Sequence, residues 1–233
     1  MDNDVLVVLP AYNEADIIAD TIDSLLLRFD PRQILVIDDG STDGTPQIAS
    51  ARGVSVISFE ENRGKGEAMN HAWQTVPSSI YLFVDADLGT DAGRMSELLE
   101  PVVNGFADMS IADLSVHKKT RGGFGLVKLL ASWALEHYTG YSAACPLSGQ
   151  RAIRRYLIED IGGFASGYGI ELDLTISALC KKYKLIEVPI SNVAHRFTGR
   201  NLAGFIHRGR QFVHLVRTIY QYRHKWMRFK NEA

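Results

Sequence analysis

The chain has 233 residues, 46% of them apolar and 22% charged, with 25 Lys+Arg against 27 Asp+Glu. This make-up excludes wholesale disorder, and the length fits one large α/β domain or two small ones, with core enough to need no disulfide or metal staples. The net charge of −2 is a cancellation: nine basic residues and no acid lie between Arg196 and Lys230, while 26 of the 27 acids precede His195. Cys145 and Cys180 show no zinc or redox spacing, so reduced thiols and a cytoplasmic setting are expected. The longest apolar runs are too short to span a bilayer, and no charged-then-apolar signal opens the chain.

In chain order, Val5 to Leu9, Ile34 to Ile37 and Ile80 to Val84 are apolar throughout rather than alternating, and Val54 to Ile57 is apolar but for Ser55, which predicts buried parallel strands. Between them lie helical patterns over 17–26, over 46–52 behind Thr45 with proline in the first turn, and over 65–75. The series is βαβαβαβ and predicts an α/β, doubly wound sheet. Further on, 107–112 and 185–190 read as strands, 126–138 and the segment ending near Tyr183 as helices, and 201–229 as a long helix. With no repeat or linker, residues 1–199 are expected to form one domain, and 200–233 a basic amphipathic helix attached to it.

Ligands of such sheets sit beyond the carboxyl ends of the strands. Here these ends are polar and acidic: Pro10-Ala11-Tyr12-Asn13-Glu14, Asp38-Asp39-Gly40-Ser41, Asn62-Arg63-Gly64-Lys65-Gly66 and Asp85-Ala86-Asp87. Two carboxylates two residues apart, as at Asp85 and Asp87, can hold one hard cation such as Mg²⁺ or Mn²⁺. Asp38 and Asp39 can accept hydrogen bonds from a base or ribose, or serve only the turn. Lys65 at a helix start suits a phosphate. Neither Walker spacing nor Gly-x-Gly-x-x-Gly is present, which argues against a P-loop NTPase and a dehydrogenase.

Taken together and in this order, these four stretches resemble family 2 glycosyltransferases of the GT-A fold, over roughly residues 4 to 215. The resemblance implies a mostly parallel, Rossmann-like sheet with helices on both faces, a nucleotide held by the first two stretches, and a divalent cation, Mg²⁺ or Mn²⁺, at the Asp-x-Asp. Asp85-Ala86-Asp87-Leu88, Leu147-Ser148-Gly149 and Glu187-Val188-Pro189-Ile190 are similar to polyprenyl-phosphate sugar synthases. Pro146-Leu147-Ser148-Gly149, Gly167-Tyr168-Gly169-Ile170-Glu171 and Ala194-His195-Arg196 resemble glucosyl-3-phosphoglycerate synthases, where the corresponding histidine is a metal ligand.

The expected site follows. Pro10, Ala11, Tyr12, Glu14, Asp38, Asp39, Lys65, Asp85 and Ala86 would bind substrate on the donor side, Gly149 would bind substrate from a segment near the acceptor in the resembled enzymes, and Asp85, Asp87 and His195 would bind the metal. Asp87, Glu171 and Asp173 are the candidates for catalysis. Glu171 and Asp173 lie two apart at a helix start, so only one need face the sugar; both could equally complement the helix N-terminus. Arg121, in a basic glycine-containing loop, and Arg151 are candidates for an anionic acceptor, because guanidinium binds phosphate through paired hydrogen bonds.

The expected reaction is transfer of a hexose, glucose in first place, from a UDP sugar. The first-choice acceptor is a polyprenyl phosphate at the cytoplasmic membrane face, and the runner-up a small anion such as 3-phosphoglycerate; a non-catalytic sugar-nucleotide binder is the rival. The final helix carries Phe212, Val213, Val216 and Tyr220 on an apolar stripe beside Arg208, Arg217, Arg223 and Arg228, a pattern suited to packing, to a homodimer or to anionic lipid. Nucleic acid is not expected, since no recognition module accompanies the charge.

Overall fold

The computed structural model describes residues 4–115, 125–165, 167, 169–191 and 202–232, with side chains in the last helix from residue 212 onward. Seven strands form one sheet: β1 (Val5–Ala11), β2 (Ile34–Asp38), β3 (Ser55–Ser58), β4 (Ile80–Phe83), β5 (Met109–Asp113), β6 (Arg151–Arg154) and β7 (Leu185–Pro189), in the order β3-β2-β1-β4-β6-β5-β7. All neighbouring pairs are parallel except those of β6, which runs antiparallel to β4 and β5.

The helices are α1 (Ile18–Leu26), α2 (Thr45–Ser50), α3 (Lys65–Thr75), α4 (Leu99–Val103), α5 (Leu126–Thr139), α6 (Arg155–Ile161), α7 (Ile170–Cys180) and α8 (Leu202–Glu232). Tight 3-10 segments occupy Pro31–Gln33 and Gly89–Leu98.

The unbroken apolar strands are explained by burial on both faces. Val7 and Leu9 of β1 pack with Ile18, Ile22 and Leu25 of α1 and with Met95 and Leu98 of the second 3-10 segment. Val8, on the opposite face, joins Tyr81, Phe83, Ile111 and Ile153 under α3, α5, α7 and α8. The sheet therefore has helices on both faces, as the alternation of strands and helices predicts.

Among the strands and α-helices, β6, α4 and α6 go beyond the sequence reading. Arg-Ala-Ile-Arg holds only two apolar residues, too short a run to announce a strand. Its place is set by partners on both sides, Phe83 and Ile111 pairing with Arg151.

Among the described side chains of α8, Leu215, Trp226 and Phe229 are buried in the core beneath α5 and α7. The Trp226 indole donates to Asp173 Oδ1 at 2.7 Å, and Lys225 Nζ stands 3.1 Å from Asp173 Oδ2. The helix is thus fastened to α7 by a buried carboxylate as well as by apolar contact. Phe212, Val213, Val216 and Tyr220 remain exposed.

Replacing Trp226 with Ala should cost about 3–5 kcal/mol of stability, read from denaturant unfolding. A loss below about 1 kcal/mol would contradict an anchoring role for α8.

Candidate functional site

The strand ends open into a cleft of ≈ 650 Å³. Pro10, Ala11, Tyr12 and Glu14 line it beyond β1, Asp39 beyond β2, and Asn62, Gly64 and Lys65 where the chain enters α3. Asp85, Ala86 and Asp87 follow β4, while Gly167, Ile170 and Glu171 form the far wall with His214 of α8.

The loops that follow β1 and β2 are locked by short polar side chains. Ser41 Oγ accepts from the Asn13 amide at 2.9 Å, Asn13 Oδ1 from the Thr42 amide at 2.9 Å, and Thr45 Oγ1 from the Glu14 amide at 2.9 Å. Asp43 Oδ2 takes the Ala15 amide at 3.0 Å, and its Oδ1 takes the Thr45 hydroxyl at 2.6 Å. Asp39 gathers the third loop by accepting the Arg63 and Gly64 amides at 2.7 and 2.8 Å. Gly40 sits at φ 75°, where a Cβ would come within 2.7 Å of the Glu61 carbonyl carbon, so both its backbone angle and its space demand glycine.

At the centre, Lys65 Nζ stands 2.7 Å from Asp85 Oδ1 and 3.2 Å from Glu171 Oε1. Burial opposes the ammonium charge, but the carboxylates of Asp85 and Glu171 outweigh it and hold Lys65 above the ordinary lysine range. Gln150, 2% exposed, grips Asp85 twice, donating from Nε2 to Oδ2 at 2.6 Å and accepting the Asp85 amide at 2.8 Å. Thr21 of α1 secures the other side of this loop, donating to the Ala86 carbonyl at 2.7 Å and accepting the Gly89 amide at 2.9 Å.

Most predicted site residues meet here: Pro10, Ala11, Tyr12, Glu14, Asp39, Lys65, Asp85, Ala86, Asp87 and Glu171 share the cleft. Gly149 adjoins it, since a Cβ there would meet Lys65 Nζ at 2.7 Å and Asp85 Oδ2 at 2.8 Å.

Three expectations are corrected. Asp38 is 2% exposed at the end of β2 and accepts the Ser41 amide at 3.3 Å, so it shapes the turn and stands outside the cleft lining. Asp173 is 1% exposed and bound to Trp226, Lys225 and Ser177, hence structural rather than catalytic. Arg151 is 1% exposed beneath the cleft and cannot touch an acceptor. Arg121 and His195 lie outside the described residues.

The sequence reading left out Asn62, Gly64, Gly167, Ile170 and His214 as site residues, and with them the grip of Gln150. Glycine at 169 carried a signal for the α8 contact, because a Cβ there would meet Thr218 Oγ1 at 2.2 Å. His214 had none, since only packing brings α8 to the wall.

Among the described residues no group of three or more His, Cys, Asp or Glu could hold a metal ion. Asp85 and Asp87 fit a cation that arrives with a diphosphate, because Mg²⁺ commonly takes one or two carboxylates and completes its shell with water and phosphate oxygens.

Gly149→Ala should displace Lys65 Nζ and the Asp85 carboxylate while the backbone keeps its fold, and so weaken binding of the expected UDP with Mn²⁺ at least about tenfold by calorimetry. Unchanged affinity would separate Gly149 from the site. Slight burial opposes the charge on Asp43, but its bonds from Thr45 and the Ala15 amide outweigh this and keep its carboxyl below the usual carboxylate range. Its contribution is complete above the ordinary value, near pH 4, and fades as pH falls through the lowered one. Asp43→Asn should therefore flatten the acid side of a plot of melting temperature against pH; an unaltered acid limb would remove Asp43 from that role.

The family model described as Glycosyl transferase family 2 matches residues 6–162. The uncharacterized protein MJ1222 of Methanocaldococcus jannaschii is 31% identical over 201 residues, covering 82% of this chain and 82% of its own. Glycosyltransferase AglJ of Haloferax volcanii is 30% identical over 191 residues, 79% of this chain and 61% of its own length. The chain thus spans about three fifths of that relative.

A crystal structure of glucosyl-3-phosphoglycerate synthase from Mycobacterium tuberculosis, with Mn²⁺, UDP and glucosyl-3-phosphoglycerate, matches at TM-score 0.78 and 27% identity, over 94% of this chain and 80% of that one. Further complexes of that synthase hold UDP-glucose with phosphoglyceric acid or glycerol 3-phosphate, or Mg²⁺ with UDP.

Proposed function

The chain belongs to glycosyl transferase family 2, and we propose that it moves a hexosyl group, glucose in first place, from a UDP sugar to a small phosphate-bearing acceptor such as 3-phosphoglycerate or glycerol 3-phosphate. The observation that carries the reading is the meeting of Asp85, Asp87, Lys65 and Glu171 in one cleft beside the interlocked loops after β1 and β2. The ligands of the mycobacterial synthase support the choice of donor, cation and acceptor.

In this reading the loop from Pro10 to Glu14 and Asp39 hold the nucleoside. Asp85 and Asp87 hold Mg²⁺ or Mn²⁺ with the donor diphosphate, and His195 completes the set. A cation bound there would offset the charge that develops on the departing diphosphate. Lys65 adds its ammonium to the positive end of α3, where a donor phosphate would approach. Glu171 faces the transferred sugar or the acceptor hydroxyl. If the acceptor reacts through a hydroxyl, a carboxylate within hydrogen-bond reach can receive its proton.

Residues 1–199 are proposed as the transferase domain, with the segment 200–233 supplying His214 to the far wall. A polyprenyl-phosphate acceptor shares the phosphate chemistry and is the second choice. Leu215, Trp226 and Phe229 of α8 are spent on the core while Phe212, Val213, Val216 and Tyr220 stay exposed, and no helix among the described residues is long and apolar enough to cross a membrane.

The test is a thermal-shift panel of nucleotide sugars with and without Mn²⁺, followed by transfer assays on 3-phosphoglycerate, glycerol 3-phosphate and polyprenyl phosphate in vesicles. A Mn²⁺-dependent shift with UDP-glucose and turnover on a small acceptor are expected. Lack of any metal-dependent shift would defeat the reading, and turnover on the lipid alone would replace the acceptor. Asp87→Ala should lower transfer at least about 100-fold. His195→Ala should raise the Mn²⁺ concentration for half-maximal rate, and an unchanged metal dependence would remove it from the ligand set.

A further inference from the structure

Arg151 opens β6 beside Phe83 of β4 and Ile111 of β5 and is 1% exposed, one of the largest fully buried side chains of the protein. A buried cation is ordinarily matched by a carboxylate in contact. Among the described residues, no ion pair involves Arg151. Its Nε donates to the Ser148 carbonyl at 2.8 Å and its Nη1 to Thr175 Oγ1 at 2.7 Å, while Nη2 is buried with no protein partner. Burial pushes its pKa down to about 10, and Glu171, Glu187 and Asp85 act from further off to keep it charged.

Nη1 also reaches Met109 Sδ at 3.9 Å, but it is the two bonds to oxygen that lead to opposite walls of the cleft. The Thr175 hydroxyl in turn donates a hydrogen bond to the Glu171 backbone carbonyl at 2.7 Å, which pins the first turn of α7. Ser148 leads directly into Gly149 and Gln150, the residue that grips Asp85 from both sides. One guanidinium thus fixes the backbone beneath Glu171 and the approach to Asp85, the two carboxylates between which Lys65 stands. Filling space alone would be done as well by an apolar side chain of similar volume, without the burial of a charge.

We propose that Arg151 is a positioning residue for the transfer reaction: without touching substrate, it sets Glu171 through Thr175. This rests on the reading of the cleft as a transferase site. The role differs from stabilisation because it acts on turnover through Glu171.

The experiment compares Arg151→Met, Arg151→Lys, Thr175→Val and Glu171→Gln, and each of the first three combined with Glu171→Gln. Circular dichroism checks the fold, calorimetry measures UDP binding with Mn²⁺, and steady-state kinetics use the acceptor that the wild-type protein turns over. Arg151→Met should keep donor KM within about threefold while kcat falls about 100-fold, and Arg151→Lys should recover about tenfold of that loss. In the Glu171→Gln background Arg151→Met should cost less than about threefold, the non-additivity expected of a residue acting through another.

Unchanged kcat in Arg151→Met, or the full loss repeated in the Glu171→Gln background, would overturn the proposal. Should Arg151→Met fail to fold, Thr175→Val leaves the guanidinium in place and carries the test: a kcat loss that disappears with Glu171→Gln supports the relay, and no loss or full additivity overturns it. Wild-type turnover in both Glu171→Gln and Asp87→Ala would sink the cleft reading, and this proposal with it. Loss in those two with full activity in Arg151→Met would sink only the proposal.

Discussion

Carboxylates crowded at one edge of a sheet repel one another, and the arrangement of this protein depends on cations that make the crowding tolerable. Lys65 does so inside the cleft, between Asp85 and Glu171. Arg151 does so from below, without contact and across a medium of low dielectric where a charge reaches further than in water. Glycine at 149 follows from the same demand, because any side chain there would intrude on the pair. A diphosphate with its divalent cation would enter a site whose charges are already partly balanced, so little reorganisation remains for the moment of reaction.

The rigidity of the edge has a second source in small polar residues. Ser41, Asp43 and Thr45 cross-link two loops that leave neighbouring parallel strands, and Thr21 and Ser24 of α1 hold the loop after β4 from behind. Each bond is modest, but loops held at several points cannot splay independently. A stretch such as Asp-Gly-Ser-Thr-Asp-Gly-Thr therefore has a mechanical reading as well as a chemical one: its side chains spend themselves on neighbouring backbone, leaving the cleft to Asp39.

The parallel half of the fold was legible because strands buried on both faces must be apolar, and β1 and β4 are apolar throughout, as is β2 up to Asp38 at its end. The strand ends were legible because acids, glycine and asparagine there fit neither a core nor a helix. Legibility stopped where a residue's role depends on contacts far along the chain. Glu171 and Asp173 look alike in sequence, yet one faces Lys65 and the other the Trp226 indole, a division that their two-residue spacing on a helix permits but does not decide. Arg151 read as a phosphate grip because its burial comes from β4 and β5 on either side. His214 escaped notice because nothing local distinguishes it from the other histidines of its helix.

The packing of α8 bears on how the protein is made. All seven strands precede this helix, and the bond from Trp226 to Asp173 joins positions 53 residues apart. A nascent chain can pair its strands and assemble the Asp85 loop while the surface of α7 that α8 will cover still lies open. That surface includes the Asp173 carboxylate and the apolar residues destined for Leu215, Trp226 and Phe229. Until α8 arrives, the half-made molecule carries a cleft that lacks only His214 of its far wall, and a patch suited to chaperones or to unwanted association.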